Sequence, residues 1–119
     1  MKQILIIDDS LSIRELVKNT LENENFLVKI AINGEQGLRL VKDNSFDLII
    51  SDINMPIMNG IEFTIQVRKL NQYQFTPILI LTTEHNLEKK MQGKQAGATG
   101  WIVKPIVPEQ LINTVLRVV

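Results

Sequence analysis

The chain has 119 residues, 45% of them hydrophobic and 22% charged, which suits one globular domain with one core and argues against intrinsic disorder. Thirteen basic residues balance thirteen acidic ones, so there is no electrostatic footprint for nucleic acid or an anionic membrane, and the absence of cysteine excludes disulfides, thiolate catalysis and Cys-ligated zinc or iron–sulfur centres. No segment approaches the roughly 20 apolar residues of a membrane span, and the N-terminal apolar run is too short for a signal peptide, so a cytoplasmic protein is expected.

Taken in order, Ile4-Leu5-Ile6-Ile7 is a β-branched run that predicts a first strand, ended by Asp8-Asp9. Ser10 or Ser12 opens a helix, Ser12 with Glu15 fitting a capping box. Ile13, Leu16, Val17, Thr20 and Leu21 follow helical spacing, with Arg14, Glu15, Lys18 and Glu22 opposite. Phe26–Ala31 has the mixed pattern of a sheet-edge strand. Asn33-Gly34 would signal a hairpin, but Glu35–Lys42 reads as helix, so the hairpin is rejected. Phe46-Asp47 leads into Leu48-Ile49-Ile50, a continuous apolar run buried on both faces if it is a strand of a parallel sheet. Asp52 ends it, and Met55-Pro56 and Asn59-Gly60 break the backbone into a loop.

Ile61–Lys69 is read as the third helix and Pro77–Leu81 as the fourth strand, with proline where a missing donor does least harm. That strand ends in Thr82-Thr83. Leu87–Ala96 predicts a fourth helix with Leu87, Met91 and Ala96 or Ala98 inward and Glu88, Lys89, Lys90 and Lys94 solvated. Gly97 and Gly100 bracket its end. Trp101-Ile102-Val103 is a fifth strand, ending in Lys104-Pro105, and Pro108–Val118 is the last helix, with Leu111, Ile112, Val115 and Leu116 as its apolar stripe. Five strands alternating with five helices imply an α/β fold, a doubly wound parallel sheet with helices on both faces, in a single domain covering 1–119.

The function lies in what ends each strand. Asp8-Asp9, Asp52, Thr82 and Lys104 all follow strands, and in a parallel sheet these ends share one edge, where α/β folds bind ligands. Alone, Asp52 reads as a loop cap; three converging carboxylates read differently. They repel unless a cation relieves them. Lys104 supplies one charge, and the oxygen-only remainder suits a hard divalent ion, Mg²⁺, that keeps open positions for a phosphoryl group. The single histidine, His85, is read as a solvated loop residue, so a transition-metal site is not expected. Asp52 could then act as a nucleophile forming an aspartyl phosphate, with Thr82 and Lys104 holding the phosphoryl oxygens.

With Asp8-Asp9, Asp52 followed by Met55-Pro56 and Gly60, Thr82, Gly97-Ala98 and Lys104-Pro105, each after its own strand, the whole chain resembles the receiver domain of two-component response regulators. Among them it resembles the single-domain chemotaxis (CheY-like) type. The resemblance implies strand order 2-1-3-4-5 and Asp52 as phospho-acceptor. It implies Mg²⁺ held directly by Asp9, Asp52 and the main-chain carbonyl of Asn54, with Asp8 acting mainly through water. It implies Lys104 pairing with the phosphoryl group, Thr82 as the switch hydroxyl, and a cis Lys104–Pro105 bond. Asn54 and Glu84 stand where the family tunes dephosphorylation, and resemble the pair of fast-cycling chemotaxis regulators, so a phosphoryl lifetime of seconds to minutes is expected. Trp101 departs from the family's commoner Tyr or Phe; it is read as the ring that moves with Thr82, against the alternative of a plain anchor on the fifth strand.

The resemblance further implies a sensor histidine kinase as phosphodonor and a protein effector, such as a flagellar motor switch protein, read through the helix 4–strand 5–helix 5 face by a monomer. We expect a switch that catalyses only its own phosphorylation and dephosphorylation. Because the sequence starts at Met1 and ends with its fifth helix, a stand-alone regulator is expected; the alternatives are a phosphorelay intermediate or the receiver of a longer transcriptional or enzymatic regulator. A metal-dependent aspartyl phosphatase would place Asp-x-Asp after the first strand, and a flavodoxin-like carrier would need a hydroxyl- and glycine-rich loop there. The adjacent acids Asp8-Asp9 fit neither.

Overall fold

The computed structural model describes residues 1–83 and 87–119. Its elements are β1 (Gln3–Ile7), α1 (Leu11–Glu22), β2 (Leu27–Ala31), α2 (Gly34–Asp43), β3 (Leu48–Asp52), α3 (Gly60–Arg68), a 3-10 turn at Asn71–Tyr73, β4 (Ile78–Thr83), α4 (Leu87–Ala96), β5 (Gly100–Lys104) and α5 (Pro108–Val118). The strands form one parallel sheet in the order β2-β1-β3-β4-β5, as expected.

The apolar runs of β1 and β3 are buried on both faces because alternate residues enter different cores. Ile4, Ile6, Leu48 and Ile50 join Val17, Leu21, Leu111 and Val115 beneath α1 and α5. Leu5, Ile7 and Ile49 join Val41, Phe63, Val67 and Tyr73 beneath α2 and α3. β2, on the edge, leaves Leu27 and Ile30 exposed.

Local chemistry sets the helix starts. Ser10, not Ser12, caps α1: its side chain accepts from the Ile13 N–H at 3.4 Å, while Ser12 only faces the Ser10 hydroxyl at 3.0 Å. The Ser12–Glu15 capping box is therefore one turn position too late. Asn33 and Asn59 cap α2 and α3, each accepting from the N–H three residues on, at 2.8 Å. Asn33-Gly34 is thus a helix start, as the rejection of the hairpin required.

Two expectations about helix faces fail. In α4, Leu87 and Met91 are exposed at 69% and 57%, and the buried residue is Gly93, with Lys89 and Lys90 half-buried. The residue this helix turns to the sheet is its smallest, Gly93, which sits next to Ile80 of β4 and Ala98. In α5, Leu116 is 58% exposed; Leu111 and Val115 alone are fully buried.

Candidate functional site

The sheet reverses its winding between β1 and β3, and the register there pairs Ile7 with Ser51. The next residue of each strand is an aspartate, so Asp8 and Asp52 emerge side by side at the carboxyl edge. The register of β4 with β5 pairs Thr83 with Lys104, which brings the lysine to the same edge. The structure thus gathers Asp8, Asp9, Asp52, Thr82 and Lys104, the constellation expected from the strand ends. Lys104–Pro105 is cis, also as expected.

Lys104 Nζ donates to Asp52 Oδ1 at 3.0 Å and lies 3.5 Å from Asp8 Oδ2. Asp52 Oδ1 also accepts the Ile53 N–H at 2.9 Å. Asp8 Oδ1 accepts the Ser10 N–H at 2.9 Å, whereas its buried Oδ2 has no hydrogen-bond donor. Asp8 and Asp52 are buried and Asp9 is exposed, and one carboxylate oxygen from each lies within 4.8 Å of the others. A cavity of about 190 Å³ opens beside them, lined by Asp52, Asn54, Thr82, Lys89 and Lys104 among others. Thr82 is buried and its hydroxyl donates to the Thr83 carbonyl at 3.2 Å.

The electrostatics follow from this crowding. Burial pushes the Asp8 carboxyl above its ordinary value of 3.8; the Ser10 N–H pulls it down, the Asp52 charge pushes it further up, and Lys104 offsets part of that. Burial alone would lower the Lys104 ammonium, but its hydrogen bond and charge pairing with Asp52, then Asp8, outweigh burial and leave it raised. Asp8, Asp9 and Asp52 outnumber the Lys104 ammonium that pairs with two of them, and Asp8 Oδ2 accepts no hydrogen bond. The donor set is all oxygen, which fits a hard divalent cation such as Mg²⁺.

Asp8→Asn is therefore expected to stabilise the metal-free fold by about 1 kcal/mol at pH 7. Because the native carboxyl is raised, the folded chain binds more protons than the unfolded chain in the window above pH 3.8, and stability falls as pH rises through it. The gain should appear in urea melts at pH 7 and vanish below the carboxylate range. An equal midpoint at both pH values would show that Asp8 is not strained by its charge.

Sequence reading placed Arg14 on the solvated face of α1, but it is half-buried and donates to the Asp8 carbonyl at 2.8 Å, fixing the loop behind the acids. Its signal was position: it sits in the first turns after the acids, where its length reaches back. Lys89 was also assigned to solvent but lines the cavity. Asn54 lines it too, and is exposed. Trp101 is 40% exposed on β5, with Lys90 Nζ 5.3 Å above its ring. Glu84 and His85 lie outside the described residues.

The site is thus a doubly wound parallel sheet with acids at its switch point and a lysine on β5 paired with two of them. The sequence model of the response regulator receiver domain matches residues 4–116, and the chain belongs to that family: it is the receiver domain of a two-component response regulator, a signalling switch. Its structure is similar to that of the chemotaxis response regulator CheY4 of Vibrio cholerae, 50% identical, with 100% of this chain and 99% of that chain covered at a TM-score of 0.96. A CheY-like receiver domain protein from Methanospirillum hungatei, 32% identical, covers 98% and 92% of the two chains at 0.91. Among curated proteins, the response regulator ArlR of Staphylococcus saprophyticus is 38% identical over 112 residues, which is 94% of this chain and 50% of that protein. The transcriptional regulatory protein SrrA of Staphylococcus aureus is 36% identical over 110 residues, 92% of this chain and 44% of that protein. The chain thus spans about half the length of these curated relatives.

Proposed function

We propose that this receiver domain, a single unit over residues 1–119, takes a phosphoryl group from a sensor histidine kinase onto Asp52, with Mg²⁺, and signals as a stand-alone chemotaxis-type regulator. The observation that carries the acceptor role is the asymmetry of the Asp52 carboxylate. Lys104 and the Ile53 N–H both bond Oδ1, and Asp52 lines the cavity, which leaves Oδ2 as the oxygen for the incoming group. In the transfer, Oδ2 attacks phosphorus in line, the P–N bond of the phosphohistidine breaks, and the imidazole leaves with its electron pair and takes a proton. Asp9, Asp52 and the Asn54 carbonyl would hold Mg²⁺ directly and Asp8 through water; when bound, the ion supplies positive charge to the phosphoryl oxygens. Lys104 is already poised to pair with a phosphoryl oxygen once Oδ1 no longer carries full charge. Asn54, with Glu84, would set how readily water reaches phosphorus.

The switch follows from Thr82. Among the described residues its hydroxyl holds only the neighbouring Thr83 carbonyl at 3.2 Å, and a phosphoryl oxygen is a stronger acceptor. Drawn toward Asp52, Thr82 would vacate space that Trp101 can enter, which changes the face of α4, β5 and α5 that a protein effector reads. Leu87, Met91, Trp101 and Val103 are exposed there. Likeness to CheY4 over the full length of both chains favours a flagellar motor switch protein or a comparable target. The longer curated relatives favour a second reading, a receiver that governs an attached output domain. Among the described residues no helix is long and apolar enough to cross a membrane, in keeping with a cytoplasmic site of action.

The test is intact mass after incubation with Mg²⁺ and a small acyl phosphate. The native chain is expected to gain one phosphoryl group and Asp52→Asn none. Equal gain in both would move the acceptor elsewhere; no gain in the native chain, even with a histidine kinase, would leave a binding domain without the chemistry.

A further inference from the structure

We propose that Gly93 of α4 is what allows the indole of Trp101 to turn inward, by keeping free the volume beneath the helix that a side chain there would fill. The inference rests on the Thr82–Trp101 switch reading and adds to it a residue outside the phosphoryl machinery.

Gly93 has no reason to be glycine in the state described. It lies in the middle of α4, where glycine is disfavoured relative to alanine. Its φ is not in the left-handed range, unlike that of Gly97 at +109°. A Cβ there would meet only Ile80 Cγ1 at 3.8 Å and Ala98 Cβ at 4.0 Å, ordinary van der Waals contact. The contrast is with Gly34, Gly37 and Gly60, where a Cβ would come within 2.7, 2.5 and 2.0 Å of a neighbour. Packing demands glycine at those three places and permits a side chain at Gly93.

The surroundings point to the missing demand. Gly93, Ile80, Ala98, Thr82, Lys90 and Trp101 border one crevice between α4 and the sheet, and it has no space for even a water molecule. Trp101 borders it while 40% exposed, beside Ile80 in the β4–β5 register, with the Lys90 ammonium 5.3 Å from its ring centroid. An indole cannot enter a crevice this narrow unless room is made. Withdrawal of Thr82 toward Asp52 supplies part of it. The absent side chain of Gly93, whose Cβ would stand 3.8 Å from Ile80 Cγ1 in the same crevice, supplies the rest. The larger ring and the smaller helix residue are complementary in size.

The chain has a single tryptophan, so its emission reports this motion alone. Native protein, Gly93→Ala and Gly93→Val are compared before and after phosphorylation with Mg²⁺ and an acyl phosphate. Intact mass gives the phosphoryl content, tryptophan emission with acrylamide quenching gives burial of the ring, and circular dichroism confirms the fold. All three are expected to gain the phosphoryl group. The indole should become shielded in the native chain, less so in Gly93→Ala, and not at all in Gly93→Val. Full shielding in both folded variants would overturn the role of Gly93 while leaving the switch intact. Phosphorylation of the native chain with no change in its tryptophan would overturn both. Should Gly93→Val fail to fold, the alanine variant, which the distances accommodate, still decides.

Discussion

Gly60→Ala is expected to cost about 3 kcal/mol of stability, the upper end of what overpacking imposes. Gly60 is the first residue of α3, and the helix start lies directly on the end of β3: an added Cβ would fall 2.0 Å from the Asp52 carbonyl oxygen and 2.9 Å from its carbon. The neighbours cannot yield cheaply. The Gly60 N–H donates to the Ile53 carbonyl at 2.9 Å, its carbonyl accepts the buried Thr64 hydroxyl at 2.8 Å, and Asn59 caps the helix at 2.8 Å. Either α3 moves off or the strand end twists, and the strand end carries the proposed acceptor. In urea the midpoint should fall by about 2 M at an unchanged slope near 1.5 kcal/mol/M, and the fraction that stays folded should accept the phosphoryl group poorly. The Asp52→Asn variant, which keeps the backbone, should keep its midpoint far better. A Gly60→Ala protein with the native midpoint would mean that α3 does not rest on the strand carbonyl.

How far the sequence revealed this arrangement depended on whether the chemistry was local. The strands were legible because Ile4–Ile7, Leu48–Ile50 and Ile78–Leu81 are apolar at every position, which only a sheet covered on both faces demands. The residues after each strand then shared an edge by topology alone, so Asp8, Asp9, Asp52, Thr82 and Lys104 could be brought together without coordinates. The faces of α4 were misjudged because hydrophobicity assigns Leu87 and Met91 inward, whereas the residue of the helix that is buried is Gly93, which carries no hydrophobic signal. Arg14 and Lys89 were missed for a related reason. Both have long stems, which carry Arg14 back to the Asp8 carbonyl and Lys89 to the rim of the cavity, and periodicity records where a side chain starts rather than where its charge ends. The choice between Ser10 and Ser12 was left open because both are good caps two residues apart, and it is resolved by the Asp8 carboxylate taking the Ser10 N–H and fixing Ser10 as the last non-helical residue.

Lys104→Met should be the most damaging change within the site itself. The ammonium stands 3.0 Å from Asp52 and 3.5 Å from Asp8, and its side chain is 24% exposed. Removing one member of a buried pair costs about 3–5 kcal/mol when the other is left stranded; here the cavity admits solvent and Asp8 can take up a proton, so a loss of about 2 kcal/mol at pH 7 is expected. The pH dependence has a definite shape. The raised Lys104 contributes stability that is fully present below its unfolded value of 10.5 and is lost as pH rises through its folded value. At the acid end Asp8, whose carboxyl is raised by burial, takes up a proton and its part of the pairing disappears. The gap between native and variant should therefore be widest from about pH 5 to pH 10 and close on both sides. Methionine nearly preserves the stem, so the loss is one of charge rather than packing. Mg²⁺ should then restore more stability to the variant than it adds to the native chain, because a cation binding only the folded state stabilises by mass action and meets more uncompensated charge there. It should not restore the chemistry: the phosphoryl oxygens still lack the Lys104 donor, and acceptance from an acyl phosphate is expected to slow about 100-fold or more, as when one preorganised donor is deleted. Urea midpoints across pH, with and without Mg²⁺, separate these effects. A variant as stable as the native chain at pH 7 would mean that solvent already screens the acids, and the electrostatic account of the site would have to be abandoned.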